Sequence, residues 1–125
     1  VGFPLAKPST VQIPNPVSYI VQKLLINSRR HPGDQAKDLL YIHDTIELFG
    51  GSLDTLAKVW RDDVAKYLHK NQRRQAVADA ERLFGRVNDE NRAAAALAAD
   101  RTNPALLQSH TFQGLRAILE LPVRT

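Results

Sequence analysis

The chain has 125 residues, no cysteine and a formal net charge of +4. A chain of this length forms one domain that can bury a core. The absence of cysteine excludes disulfides and thiolate metal sites. Because no apolar run approaches the roughly 18 residues that cross a bilayer, we expect no integral membrane protein, and we place the chain in the cytoplasm. The mildly basic balance suits a polyanion partner without requiring one.

Residues 1–14 have an extended pattern rather than a helical one. Val11 and Ile13 alternate with polar residues among several prolines, which is typical of an edge strand or an extended arm. An apolar arm with an unpaired edge predicts pairing with another chain, and therefore a homodimer. The sequence contains no methionine, even at position 1, which suits either a fragment of a longer protein or a secreted protein whose signal peptide was cleaved. We favour a C-terminal fragment of a longer protein.

The first helix begins with Asn15 as its N-cap and Pro16 at its first position. Its apolar stripe consists of Val17, Ile20, Val21, Leu24, Leu25 and Ser28. A second stripe beside it carries Tyr19, Lys23, Asn27 and Arg30. A lysine between a tyrosine and an arginine beside the core is oddly placed for a solvated face, which indicates that the stripe faces a site.

Five further helical segments follow at three- and four-residue apolar spacing. They are predicted near residues 34–49, from Ser52 as N-cap through Leu68, at 71–84, at 91–100, and from Asn103-Pro104 to a stop at Pro122. Their short connections predict that successive helices are largely antiparallel neighbours. The predicted fold class is therefore all-α: a bundle of about five to six helices over residues 15–121, with a short N-terminal extended arm or strand over 1–14.

One part of the chain has a recognisable motif. The motif begins as "P-x-x-Y-x-x-x-K-L-L", continues with basic residues and ends with "K-D" at the opening of the next helix. Its residues are Pro16, Tyr19, Lys23, Leu24, Leu25, Arg29, Arg30, Lys37 and Asp38. This pattern resembles the C-terminal helical part of bacterial nucleotidyltransferase-fold proteins, the abortive-infection toxin-like group and its uncharacterised relatives. The resemblance spans residues 11–49.

The resemblance implies a helical domain that helps to close a nucleotide cleft. Its nucleotide-binding residues would be Tyr19, Lys23, Arg30, Lys37 and Asp38, and its partners an N-terminal catalytic domain and a nucleotide or RNA. Mg²⁺ and a nucleoside triphosphate are implied for the longer protein. Such proteins carry a Gly-Ser or Gly-Gly turn followed by an Asp-x-Asp pair. This sequence has the turn at Gly50-Gly51-Ser52, but no Asp-x-Asp pair follows it. No catalytic residue and no cofactor is therefore assigned within this chain, which we expect to be inactive alone.

Each of these residues also has a structural interpretation. Lys23 could be a snorkelling lysine that contributes mainly stem packing, so that its removal would barely alter stability. Arg29 and Arg30 suit a helix C-terminus, and Asp38 suits the first turn of the next helix. Tyr19 could be an aromatic residue at the edge of the core.

Two other functional classes stay open. The basic residues Lys66, Lys70, Arg73, Arg74, Arg82 and Arg86 form either a solvated face or the polyanion surface of a free-standing protein- or nucleic-acid-interaction module. The domain could also be purely structural. The four histidines have no ligand spacing, so no metal site is predicted, and His43 is expected to be a hydrogen-bonded core histidine.

Overall fold

The computed structural model describes residues 15–120, and the predicted arm at 1–14 and the stop at Pro122 lie outside them. Six α-helices follow one another: α1 (Pro16–Ile26), α2 (Pro32–Leu48), α3 (Leu53–Val59), α4 (Lys70–Phe84), α5 (Asp89–Ala96) and α6 (Pro104–Leu119). Short 3₁₀ segments cover Asn27–Arg29, Gly50–Ser52 and Ala65–Tyr67. No strand occurs within residues 15–120, so the predicted all-α class is confirmed. No helix in this range is long and apolar enough to cross a membrane.

Local sequence signals account for the helix starts. The side chain of Asn15 accepts a hydrogen bond from Ser18 N at 2.7 Å, and that of Asn103 accepts one from Leu106 N at 2.9 Å. Each is followed by proline at the first helical position, where the missing N–H is not needed. Pro32 opens α2 in the same way, so α2 begins two residues before the predicted Asp34. Ser52 occupies the predicted N-cap position of α3, but its side chain makes no capping hydrogen bond.

The predicted long third helix is broken. After α3 the chain forms a π-helical turn over Trp60–Val64 and then a 3₁₀ turn over Ala65–Tyr67. Trp60 and Val64 are both buried, while Arg61, Asp62 and Asp63 between them are exposed. Trp60 and Val64 are four residues apart and share one side of the helical path, and both pack into the core.

Helix α6 lies at the centre of the bundle and packs against α2, α3, α4 and α5. The prediction that successive helices pack as neighbours holds for α1 with α2 and for α5 with α6, whereas α2 makes its largest contact with α5 and α1 packs on α4. Gly114 explains how closely α6 approaches α2: a Cβ there would lie 2.4 Å from Cγ2 of Ile46.

The predicted first apolar stripe is largely buried. Val17, Ile20, Val21 and Leu24 are all in the core. Ser28, also assigned to the stripe, is exposed, because the chain tightens into a 3₁₀ turn at Asn27 and leaves the α-helical repeat. The fifth helix begins at Asp89 and ends at Ala96, ahead of its predicted bounds.

Candidate functional site

The second stripe of α1 converges on one carboxylate. Asp38, in the second turn of α2, is completely buried. The Lys23 Nζ atom lies 3.2 Å from Asp38 Oδ1, and the Arg30 Nε atom lies 2.7 Å from Asp38 Oδ2. The Arg30 contact is an ion pair without hydrogen-bond alignment. We call Tyr19, Lys23, Arg30, Asp38 and Tyr41 the Asp38 cluster.

Asn27 fixes the geometry of the connection between α1 and α2. Its Nδ2 donates to Gln35 O at 3.2 Å and lies 3.5 Å from Asp38 Oδ2, while Gln35 Nε2 donates to Asn27 O at 3.0 Å. Asn27 is 1% exposed. These bonds satisfy buried polar groups that would otherwise be costly, and they hold Arg30 and Asp38 in register.

Two tyrosines flank the lysine of the cluster. Lys23 Nζ lies 5.5 Å from the ring centroid of Tyr19 and 5.7 Å from that of Tyr41, within cation–π range. Burial raises the pKa of Tyr19, and Tyr41 and Asp38 nearby raise it further. The Tyr19 phenol is therefore neutral near pH 7 and available as a hydrogen-bond donor.

Tyr19 and Tyr41 also line a surface cleft of about 440 Å³, together with Asp44, Thr45 and Leu48. Tyr41 and Leu48 are exposed. The cleft runs along α2 away from Asp38. Its volume lies within the usual range for small-molecule sites.

The structure brings together four of the five residues named from the resemblance: Tyr19, Lys23, Arg30 and Asp38. Lys37 lies on the exposed face of α2, and because successive residues point about 100° apart around a helix, it faces away from the buried Asp38. Sequence reasoning missed Tyr41. The signal was its position three residues after Asp38, which places both on one helix face.

The ion pair changes the interpretation of two residues. Lys23 is not a snorkelling lysine with a free ammonium group, since its head group pairs with a buried carboxylate. Arg30 follows a helix end as predicted, yet its guanidinium group reaches Asp38. We therefore no longer expect removal of Lys23 to leave stability unchanged. It should lower the stability of the fold, because the buried Asp38 carboxylate would lose one of its two cations.

A second polar group lies further along α2. His43, confirmed as a buried hydrogen-bonded histidine, has Nδ1 3.2 Å from Asp44 Oδ1 and Nε2 3.4 Å from Glu47 Oε1. His110 on α6 places Nδ1 3.1 Å from the same Glu47 oxygen. Arg101 makes two hydrogen bonds to the Asp44 carboxylate, at 2.8 and 3.0 Å. Burial acts to raise the pKa of Asp44, but the bonds from Arg101 and His43 prevail and hold it below its usual value.

The predicted basic surface is largely exposed. Lys66, Lys70, Arg74, Arg82 and Arg86 are open to solvent, while Arg73 is half-buried and donates to Ala65 O at 3.0 Å. Arg82 lies 3.4 Å from the buried Asp79. Comparison with protein-family models, with curated proteins and with solved structures finds no match for this chain.

Proposed function

We propose that the chain is the helical domain of a nucleotidyltransferase-fold protein and that the Asp38 cluster binds the phosphates of a nucleoside triphosphate. The observation that carries the proposal is that Lys23 and Arg30 both pair with Asp38 and that the Tyr19 ring lies beside Lys23. Helical spacing already places Tyr19, Lys23 and Arg30 on one stripe of the chain, but it does not predict that Asp38 of α2 packs against that stripe. Their meeting at one point is what a shared binding site requires.

The charges of the cluster favour an anion. Two cations share one carboxylate, so Lys23, Arg30 and Asp38 together carry a formal charge of +1. The Asp38 side chain is fully buried, whereas the side chains of Lys23 and Arg30 are 18% and 34% exposed. A ligand therefore meets only the cationic groups, which the carboxylate beneath holds in place. Positioned cations of this kind stabilise the charge that develops when pyrophosphate leaves, without any proton transfer.

The adjacent cleft suits the rest of the nucleotide. Tyr19 and Tyr41 offer aromatic faces on which a base can stack, a contact worth about 1–3 kcal/mol that tolerates any base. Both rings lie within 5.7 Å of Lys23 Nζ, and both tyrosines line the cleft. In this arrangement the phosphates lie over Lys23 and Arg30, and the base extends along α2.

These residues do not fit a Mg²⁺ site. The only carboxylate of the cluster, Asp38, is buried and ion-paired to two cations, whereas Mg²⁺ requires accessible oxygen ligands and keeps several waters. In the proposal the metal-binding carboxylates belong to a separate catalytic domain, which this chain partners. The role of the present residues is to bind and orient the phosphates and to neutralise their charge.

The test is titration of Mg²⁺-ATP into the chain and into Lys23→Ala. Loss of one charge-assisted contact costs about 1.5–3 kcal/mol, so affinity should fall tenfold or more. Lys66→Ala, an exposed lysine elsewhere, is the matched control and should leave affinity unchanged. Circular dichroism checks that each variant is folded at the assay temperature. Equal affinity of folded Lys23→Ala and the parent chain would refute the assignment.

A free-standing interaction module is the second candidate. The exposed residues Lys66, Lys70 and Arg74 favour it, and beside them lies a groove of about 560 Å³ lined partly by Gln22, Arg29, Asn71, Gln72 and Gln75. This surface would bind a short RNA with an affinity that falls steeply with salt. Under this candidate Lys66→Ala weakens RNA binding and Lys23→Ala does not. Homodimer formation through residues 1–14 is a separate proposal, which ultracentrifugation tests.

A further inference from the structure

The group formed by His43, Glu47 and His110 has the composition of a metal site. Each residue offers one ligand atom, and these atoms all lie within 4.8 Å of one another. Two imidazole nitrogens with one carboxylate oxygen are a donor set that suits zinc and similar borderline transition metals. We infer that His43, Glu47 and His110 bind one Zn²⁺ ion, independently of the Asp38 cluster.

The observed spacing agrees with coordination. Ligand atoms placed about 2.1 Å from a tetrahedral zinc ion are about 3.4 Å apart. The Glu47 Oε1 atom lies 3.4 Å from His43 Nε2 and 3.1 Å from His110 Nδ1. Only the distance between His43 Nε2 and His110 Nδ1 must then change when the metal binds. The side chains of Glu47 and His110 are each half exposed, so they can shift without disturbing the core.

The fold positions the three ligands from two helices. His43 and Glu47 are four residues apart on α2 and therefore lie on the same face. His110 is four residues before Gly114 on α6. The close contact of Gly114 with Ile46, the neighbour of Glu47, brings this part of α6 onto α2. Binding of a metal here would join the central helix of the bundle to α2.

The buried ligand also has the support that metal-binding histidines usually have. His43 Nδ1 lies 3.2 Å from Asp44 Oδ1, which leaves Nε2 directed at Glu47. Asp44 is itself held by the two hydrogen bonds from Arg101. A carboxylate on the second ring nitrogen fixes the orientation of a metal-binding imidazole and increases its basicity. Asp44 is therefore a positioning residue, and water completes the coordination at the exposed side.

The experiment is isothermal titration of tag-free, metal-stripped protein with ZnCl₂, together with thermal unfolding at each zinc concentration. We expect one Zn²⁺ per chain, and an unfolding temperature raised by about 10 °C when free zinc reaches a hundred times the Kd. His110→Ala and Glu47→Gln should each weaken binding by more than tenfold. Asp44→Asn should weaken it by about ten- to a hundredfold, the range for outer-shell partners.

His31→Ala is the matched control, because His31 is exposed, precedes α2 and makes no capping bond with its side chain. It should bind Zn²⁺ as the parent chain does. MgCl₂ should give no comparable stabilisation, since Mg²⁺ prefers oxygen ligands. No saturable zinc binding, or equal affinity in the parent chain and in His110→Ala or Glu47→Gln, would overturn the inference. Both ligand variants change exposed side chains, so at least one should fold and decide the question.

Discussion

Replacement of Asp38 by asparagine tests whether the buried carboxylate holds α1 and α2 together. Asn has nearly the same shape, so the change removes charge rather than volume. Each charge-assisted contact of a buried group is worth about 1.5–3 kcal/mol. Arg30 is about one-third exposed and Lys23 less so, and solvent screening reduces the Arg30 contact most. Asparagine is also easier to bury than a carboxylate. We therefore expect Asp38→Asn to lower the free energy of unfolding by about 2–3 kcal/mol.

Urea denaturation followed by circular dichroism measures this loss, and the thermal midpoint should fall by about 10 °C. Most of the effect should persist at 1 M salt, where the Debye length is about 3 Å, because a buried pair is poorly screened. Asp62→Asn, at an exposed aspartate, is the control and should change stability by less than about 0.5 kcal/mol. A change of that small size in Asp38→Asn would show that the carboxylate does not hold the two cations.

Three further predictions concern other parts of the bundle. Gly114→Ala should lower the free energy of unfolding by about 1–3 kcal/mol, because its Cβ would meet the stiff, β-branched Ile46. Denaturation of the double variant with Ile46→Ala should reveal a favourable coupling energy. Strictly additive effects of the two substitutions on stability would contradict the contact. Arg101→Gln should lower the thermal midpoint at pH 7, and the difference should shrink at acid pH. The pKa of Asp44 is lowered in the fold, so its stabilising contribution is present above the usual value near 3.9 and is lost as pH falls through the folded value. Thermal scans across this range check it, and a constant difference would contradict it. Asn103→Ala should cost about 1 kcal/mol in urea denaturation through loss of the α6 cap, whereas unchanged stability would show that the cap is dispensable.

Features set by local sequence were predictable. An Asn-Pro pair determines a helix start through its own side chain and ring, as at Asn15-Pro16 and Asn103-Pro104, without help from the rest of the fold. The stripe of Tyr19, Lys23, Asn27 and Arg30 was likewise visible as helical spacing. Lys23 and Arg30 on it pair with Asp38, whereas a ligand site there stays a prediction.

Features set by packing between distant segments were not predictable. The π turn over Trp60–Val64 interrupts an apolar pattern that predicts one continuous helix from residue 53 to 68, and no local signal marks it. The contact of Glu47 with His110 joins residues 63 positions apart, so a search for ligand spacing along the chain could not find it. The burial of Asp38 depends in the same way on α1 lying against α2, while its sequence position predicted only a favourable helix dipole.

The most direct measurement of the proposed triphosphate site is a two-dimensional amide NMR titration of the chain with Mg²⁺-ATP, which detects weak binding residue by residue. The account predicts saturable shift changes around Tyr19, Lys23 and Arg30 and along α2 from Asp38 to Thr45, and it predicts that they are lost in Lys23→Ala. Shift changes centred on residues 66–74 instead, or no saturable change at all, would contradict it.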